Sequence, residues 1–345
     1  MADRRDFLKL VGTAAAGAFA ASALPGVTAT PASPRFASKR PPPSQRKFIS
    51  PAVERELARV KAQIRYPKLA WLFENCYPNT LDTTVHVGTL DGKPDTFIVT
   101  GDIDAMWLRD SSAQVWPYLP LAAHDDALRQ LYRGLIHRHA RCIAIDPYAN
   151  AFMADPHAKT TLAWTQHDDT DMKPGVAERK WEIDSLCWTI RLAHGYWKAT
   201  GDRATFDDDW RAAMRLVLKT FRAQQRKHGP GPYHFQRAAA SPTDTLALNG
   251  YGWPAKPVGL IFSMFRPSDD ACKYPLFVPG NAFAVVSLRQ LAAMTRALFA
   301  DEAFARDCEA LADEVQAALD KYALMRDDGG KSFWAYEVDG FGNQL

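Results

Sequence analysis

The sequence predicts a predominantly α-helical fold, with helix pairs packed around an axis as a toroid. Three observations predict it. Apolar residues recur at helical spacing in segment after segment, strand signals are few and short, and the long connections are full of Pro, Gly, Asp and aromatic residues. The 345 residues, 47% hydrophobic and 23% charged, are enough to bury a large core.

The chain opens on a different texture. DRRDFLKLVGTAAAGAFAASALPG pairs Arg4 with Arg5, follows them with Phe7, Leu8 and Lys9, and runs through small apolar residues to Ala21-Ser22-Ala23. That is the layout of a twin-arginine export signal over 1–23, which places the mature protein in the periplasm or outside the cell. The apolar run is too short and too rich in Ala and Gly to span a membrane, so no membrane association is expected after cleavage. Residues 24–50, rich in Pro, Ser and basic side chains, read as a flexible tether. The folded domain is expected over 51–345.

Within it, Val53, Leu57, Val60 and Ile64 mark a first helix, and Leu69, Trp71, Leu72 and Phe73 a second. The spacing predicts further helices over 111–122 (cut short by Pro117 and Pro120), 127–145, 182–200 (stopped by Gly201), 206–227, 281–299 and 302–322. Strands are expected at 83–87, 96–99, 233–236 and 333–338. The connections 146–181 and 229–280 are long enough to carry function.

The formal charge of +3 is small, and no Lys/Arg run lies in the body of the chain, which excludes nucleic acid as a partner. Cys76, Cys142, Cys187, Cys272 and Cys308 are far apart, with no C-x-x-C pair, and read as small core residues.

Chemistry concentrates in four polar-aromatic clusters. TGDIDAMWLRDSSAQVWPYLP holds Asp102, Asp104, Trp107, Arg109 and Asp110. RKWEIDSLCWTIR brings Glu182 and Asp184 to a helix start. SPTDTLALNGYGWP carries Asp244, Tyr251 and Trp253. FRPSDDACKYPLFVPGNAF carries Arg266, Asp269 and Asp270. A carboxylate in a first helical turn can simply cap free N–H groups, and for Asp184 and Asp270 that role is as open as a functional one. Capping leaves the recurring Trp and Arg without a reason. A sugar supplies one: carboxylates accept from paired hydroxyls, Arg keeps them ionised, and indole faces cover the apolar side of the ring. Glycoside hydrolysis also needs two carboxyl groups at the scissile bond, one protonated, and adjacent acids such as Asp269 and Asp270 resist joint ionisation. A metal site is the competing reading. The sequence lacks a D-x-D-x-D-G loop and a His pair at ligand spacing, so no metal or other cofactor is expected.

TGDIDAMWLRDSSAQVWPYL, DPYANAF, ERKWEIDSLCW, SPTDTL and FRPSDDACKYPLFVPGNAFA, in that order, resemble glycoside hydrolase family 125 from about Leu72 onward. The resemblance implies an (α/α)6 barrel and an inverting exo-α-1,6-mannosidase without a metal requirement. It places the general acid on Asp269, with Asp270 as the alternative or as a neighbour that raises its partner's pKa. Asp102, Arg109 and Asp110 would line the terminal-sugar pocket, with Trp107 supporting its wall. Asp184, Asp244 and Arg266 also match family motifs, with a scaffold role equally open. His86, His137, His139 and His194 match none and read as core or surface residues.

The resemblance further implies that the general base and the barrel's closing helices lie beyond Leu345. Glu337 and Asp339 fall in a hairpin of the family pattern, not at the base position. An inverting reaction needs that base, so the expectation for this chain is a pocket that holds mannose and hydrolyses it poorly. A non-catalytic mannose-binding protein is the second reading. A sugar epimerase or lyase of toroid form is the third, and the absence of His from the four clusters speaks against it.

Overall fold

In the computed structural model, residues 36–345 are described; the export signal expected at 1–23 and the first part of the tether lie outside the described residues. The rest of the tether belongs to the fold. Arg40 donates to Asp82 Oδ2 at 2.8 Å and to Glu54 Oε1 at 2.5 Å, because the buried Asp82 carboxylate needs a cation. Ser50 is buried and caps the first helix, accepting from Val53 N at 3.1 Å while donating to Asp125 Oδ2 at 2.7 Å.

The first helices are α1 (Pro51–Gln63), α2 (Pro67–Cys76) and α3 (Asn79–Thr83). The strand signals at 83–87 and 96–99 turn out to be the two arms of one hairpin, β1 (Val85–Leu90) and β2 (Lys93–Ile98), in register from Val85↔Ile98 to Leu90↔Lys93. Asp91 and Gly92 turn it with φ of 52° and 77°, the paired left-handed geometry of a two-residue hairpin loop. Beyond lie β3 (Met106–Trp107) and α4 (Leu108–Val115), then α5 (Asp126–Ile145). The helix expected over 111–122 keeps its α geometry only to Val115; Pro117 and Pro120 convert the remainder into a 3-10 run, Trp116–His124.

After α5 come β4 (Ala151–Phe152), β5 (Val176–Glu178), α6 (Ile183–Thr200) and α7 (Asp208–Gln224). Gly201 ends α6 at φ 68°, as expected. The one-turn α8 (Ala247–Gly250) is distorted at Leu248 and Asn249. Then follow β6 (Leu276–Phe277), α9 (Val278–Phe299) and α10 (Glu302–Tyr322). The last elements are β7 (Leu324–Arg326), β8 (Ser332–Trp334) and β9 (Glu337–Val338). The strand expected at 333–338 is therefore two: β8 pairs with β7 and β9 with β6, the chain turning between them where Ala335 N bonds Ala323 O. The segment 233–236 makes only an isolated bridge, Asp169↔Gln236.

Helices alternate between two layers. α4, α6 and α9 pack in series, and α5, α7 and α10 flank them. α6 is buried along most of its length, whereas α7 and α10 bury one apolar stripe and solvate the other. The inner helices start side by side. A Cβ on Gly280, in the first turn of α9, would lie 3.4 Å from Ile183 Cβ at the start of α6, and Arg109 in the first turn of α4 reaches Asp184.

Candidate active site

The three-stranded sheet β3-β4-β5 sets the site. Trp107 pairs with Ala151, and Ala151 with Glu178, so the start of α4 lies beside the segment leading into α6. Asn150 pins this arrangement. Its Oδ1 accepts from Lys180 N and its Nδ2 donates to Glu178 Oε2, each at 3.0 Å.

At the centre stands Arg109. Its Nη1 donates to Glu182 Oε2 at 2.7 Å and lies 3.8 Å from Asp184 Oδ2; its Nη2 lies 3.4 Å from Asp110 Oδ2. Ser185 Oγ also donates to Glu182 Oε2, at 2.9 Å. Burial alone would lower the Arg109 pKa, but the surrounding carboxylates, Glu182 first, raise it and keep it charged. One guanidinium serves several acids, and the surplus shows. Burial pushes Glu182 well above the usual carboxylate range despite Arg109, and burial raises Asp184 as well.

Asp269 reaches the same cluster from the loop before β6. Burial raises its pKa, and the nearby charge of Glu178 raises it further. Its backbone stands at φ 68°, which costs a non-glycine residue about 1–2 kcal/mol. Such strain persists where neighbours over-determine it. Here Asp269 N donates to Arg266 O at 2.9 Å, Arg266 N donates to Asp270 O at 2.8 Å, and Lys180 Nζ donates to Asp269 O at 3.0 Å.

Several oxygens of this cluster are buried without a hydrogen-bond donor: Asp110 Oδ2, Glu182 Oε1, both oxygens of Asp184, and Asp269 Oδ1. Buried acceptors are almost always satisfied, so a group of orphans marks a surface built to receive donors. Asp184 stands in the first turn of α6, and its carboxylate lies 3.8 Å from Arg109 Nη1, so it belongs to the cluster whatever it adds to the helix start.

A second polar layer lies behind. Arg237 binds Asp168 at 2.7 Å, Glu178 at 2.9 Å and Asp244 at 3.3 Å, and Lys180 Nζ donates to Asp244 Oδ1 at 2.6 Å. Sequence reasoning passes over Glu178, Lys180, Asp168 and Arg237, and notes Glu182 only as a neighbour of Asp184. The signal is the run Glu178-Arg179-Lys180-Trp181-Glu182, which overlaps the second polar-aromatic cluster and is buried throughout.

The structure thus brings together Arg109, Asp110, Asp184 and Asp269, with Asp244 one residue further out. Asp102 is exposed on the turn before β3 and forms no ion pair among the described residues. Trp107 is buried in a small apolar cluster with Ala151, Met153, Leu162 and Ala177. Arg266 turns away to Glu337, Nε to Oε1 at 2.6 Å. Asp270 accepts from Thr243 Oγ1 at 3.0 Å and Ser268 Oγ at 2.9 Å, so its carboxylate shapes the loop. Glu337 is fully buried and also accepts from Lys273 N and Tyr274 N, both at 3.0 Å, while Asp339 accepts from Phe341 N and Asn343 N. His139 is a core residue bonded to Ser111 Oγ at 2.9 Å, its pKa pushed down to about 3 by burial. Among the described residues no group of three or more His, Cys, Asp or Glu is placed to hold a metal ion.

An inner ring of helices whose first turns converge on carboxylates around one arginine defines an α/α-toroid protein with a polar, hydroxyl-seeking site. The chain belongs to the metal-independent α-mannosidase family, glycoside hydrolase family 125, whose sequence profile matches residues 66–345. It is 38% identical over 328 residues to the meiotically up-regulated gene 157 protein of Schizosaccharomyces pombe, covering 90% of this chain and 64% of that protein's length. It also resembles a metal-independent α-mannosidase of Streptococcus pneumoniae, solved in a non-productive complex with α-1,6-mannobiose. That match has a TM-score of 0.80 at 39% identity and covers 86% of this chain and 69% of the other. The fold is accordingly that of the (α/α)6 barrel.

Proposed function

We propose that this protein is an exo-acting glycoside hydrolase that removes terminal α-1,6-linked mannose with inversion, with Asp269 as the general acid. One observation carries the reading. The Asp269 carboxyl is mostly buried, holds an unpartnered oxygen and a raised pKa, and faces Arg109 and Asp110 across the cluster. A general acid must be protonated near neutral pH, and burial beside other carboxylates favours that state. Asp270 is the poorer candidate because its carboxyl oxygens are already taken by two hydroxyls, those of Thr243 and Ser268. Arg109, Asp110 and Asp184 grip the hydroxyls of one mannose, and Asp244 stands at the rim. Glu337 and Asp339 do not serve as the water-activating base, since both are committed to backbone and side-chain donors of the fold.

The test is mannose release from α-1,6-mannobiose, compared with the α-1,2 and α-1,3 isomers, with the first-formed anomer read by proton NMR. The β-anomer is expected from the α-1,6 substrate. Asp269→Asn should lower turnover by roughly 10²–10⁴-fold while Asp270→Asn loses far less. Normal turnover in Asp269→Asn removes the assignment of the acid. Calorimetric mannose binding with no release from any isomer supports a mannose-binding protein instead. Arg4-Arg5 and the run to Ala21-Ser22-Ala23 support export by the twin-arginine route to the periplasm or beyond, tested by lysine substitution of the arginine pair and cell fractionation.

A further inference from the structure

Lys180 is a fully enclosed lysine with no part in gripping the sugar or donating the proton. Its ammonium group joins two other loops: it donates to Asp244 Oδ1 at 2.6 Å in one, and in the other it donates to Asp269 O at 3.0 Å and sits 5.0 Å from the centre of the Phe265 ring. Its own backbone N–H is held by Asn150 Oδ1 at 3.0 Å, so the side chain springs from a fixed point. Asp269 is in the left-handed region, where a side chain's direction depends on the carbonyl staying where it is. The cation that grips this carbonyl therefore aims the carboxyl.

We propose that Lys180 is a positioning residue for Asp269, and that Lys180 and Glu178, two residues apart where β5 ends, act as opposed charges that set the pH range over which Asp269 donates its proton. The proposal rests on the reading of Asp269 as the acid. The charged groups facing Asp269 are Arg109 and Asp110 from α4, Glu182 at the start of α6, Glu178 at the end of β5 and Lys180 just after it, the last two linked through Arg237, 2.9 Å from Glu178, and Asp244, 2.6 Å from Lys180. Of these, Glu182, Asp110 and Arg109 belong to the sugar-facing cluster. Glu178 and Lys180 stand behind it, so they can be changed without removing a group that faces the sugar. Lys180 favours ionised Asp269; Glu178 favours the protonated form.

Opposite shifts follow. The alkaline limb of the rate profile reports deprotonation of the acid. Lys180→Met removes the positive charge and moves that limb up by about one pH unit, and it lowers kcat roughly 10- to 100-fold through loss of aim, with little change in KM. Glu178→Gln removes the negative charge and moves the limb down by about one pH unit. Lys180→Arg keeps the charge, so its limb stays at the wild-type position even where its kcat falls. Movement of the limb in the same direction in Lys180→Met and Glu178→Gln, or an unmoved limb in both, overturns the proposal. If Lys180→Met does not fold, Glu178→Gln and Lys180→Arg decide by the same limb. If the wild type releases no mannose, the functional reading fails on its own. The Asp269 carboxyl is then titrated directly by carbon-13 NMR, assigned with Asp269→Asn, and the same two opposite movements support or sink the charge pair.

Discussion

Replacing Arg109 with Met strands the most deeply buried acid of the site. Glu182 has no exposed surface, and without the 2.7 Å bond from Arg109 only Ser185 Oγ, at 2.9 Å, still donates to it. Breaking a buried ion pair from one side costs about 3–5 kcal/mol when the remaining charge stays ionised. Glu182 can avoid that by taking up a proton, which fixes the sign of the pH dependence. Burial already holds its folded pKa above the unfolded value of about 4.3, and loss of Arg109 lifts it further. The folded state then binds more protons than the unfolded state, so stability is present at low pH and lost as pH rises through the folded pKa. Every tenfold tightening of that proton's binding weighs about 1.4 kcal/mol. Arg109→Met should be nearly as stable as the wild type at about pH 5 and weaker by about 3–5 kcal/mol at about pH 8. Adding Glu182→Gln removes the stranded charge and should return most of the loss at the higher pH. Urea midpoints followed by tryptophan fluorescence and far-UV circular dichroism at both pH values measure this. An equal deficit at both, or no recovery in the double variant, refutes the reasoning.

Two other substitutions probe what holds the site in place. Glu337→Gln weakens the acceptor shared by Arg266, Lys273 N and Tyr274 N; a loss of about 1.5–3 kcal/mol by denaturant titration is expected, with faster proteolysis near residues 266–274. Gly134→Ala puts a Cβ within 2.6 Å of the Asp95 carbonyl carbon and 2.8 Å of Thr96 N, so α5 must move off the hairpin, at about 1–3 kcal/mol; an unchanged melting midpoint contradicts that packing.

The helices are legible because their signals are local. Gly201 stops α6 and Asp301 caps α10 by accepting from Phe304 N at 3.1 Å, and both can be read from a few residues. The hairpin β1-β2 shows in its two strand signals, although nothing in either one says that they pair with each other. The sheet β3-β4-β5 is not legible, since two- and three-residue strands carry no periodicity and pair only because distant chain meets distant chain. The site follows the same division. Arg109, Asp110, Asp184 and Asp269 stand out by composition and do meet. Asp102 and Arg266 stand out on the same grounds, yet face solvent and Glu337 respectively. Lys180 and Glu178 escape notice because nothing in a run of mixed charges says that it will be enclosed. Only the fold decides which charge finds a partner.

Arg266 and Glu337 stand 71 positions apart, and their bond ties the base of the Asp269 turn to β9, which follows α9 and α10 in the chain. During synthesis, then, the ribosome has released α9 and α10 before that turn has its anchor. Until residue 337 arrives, the nascent protein holds the Asp269 turn through Lys180 and lacks this further anchor. A ribosome-bound chain halted ahead of Glu337 would possess every helix described above and still lack the bond that fixes the base of the Asp269 turn.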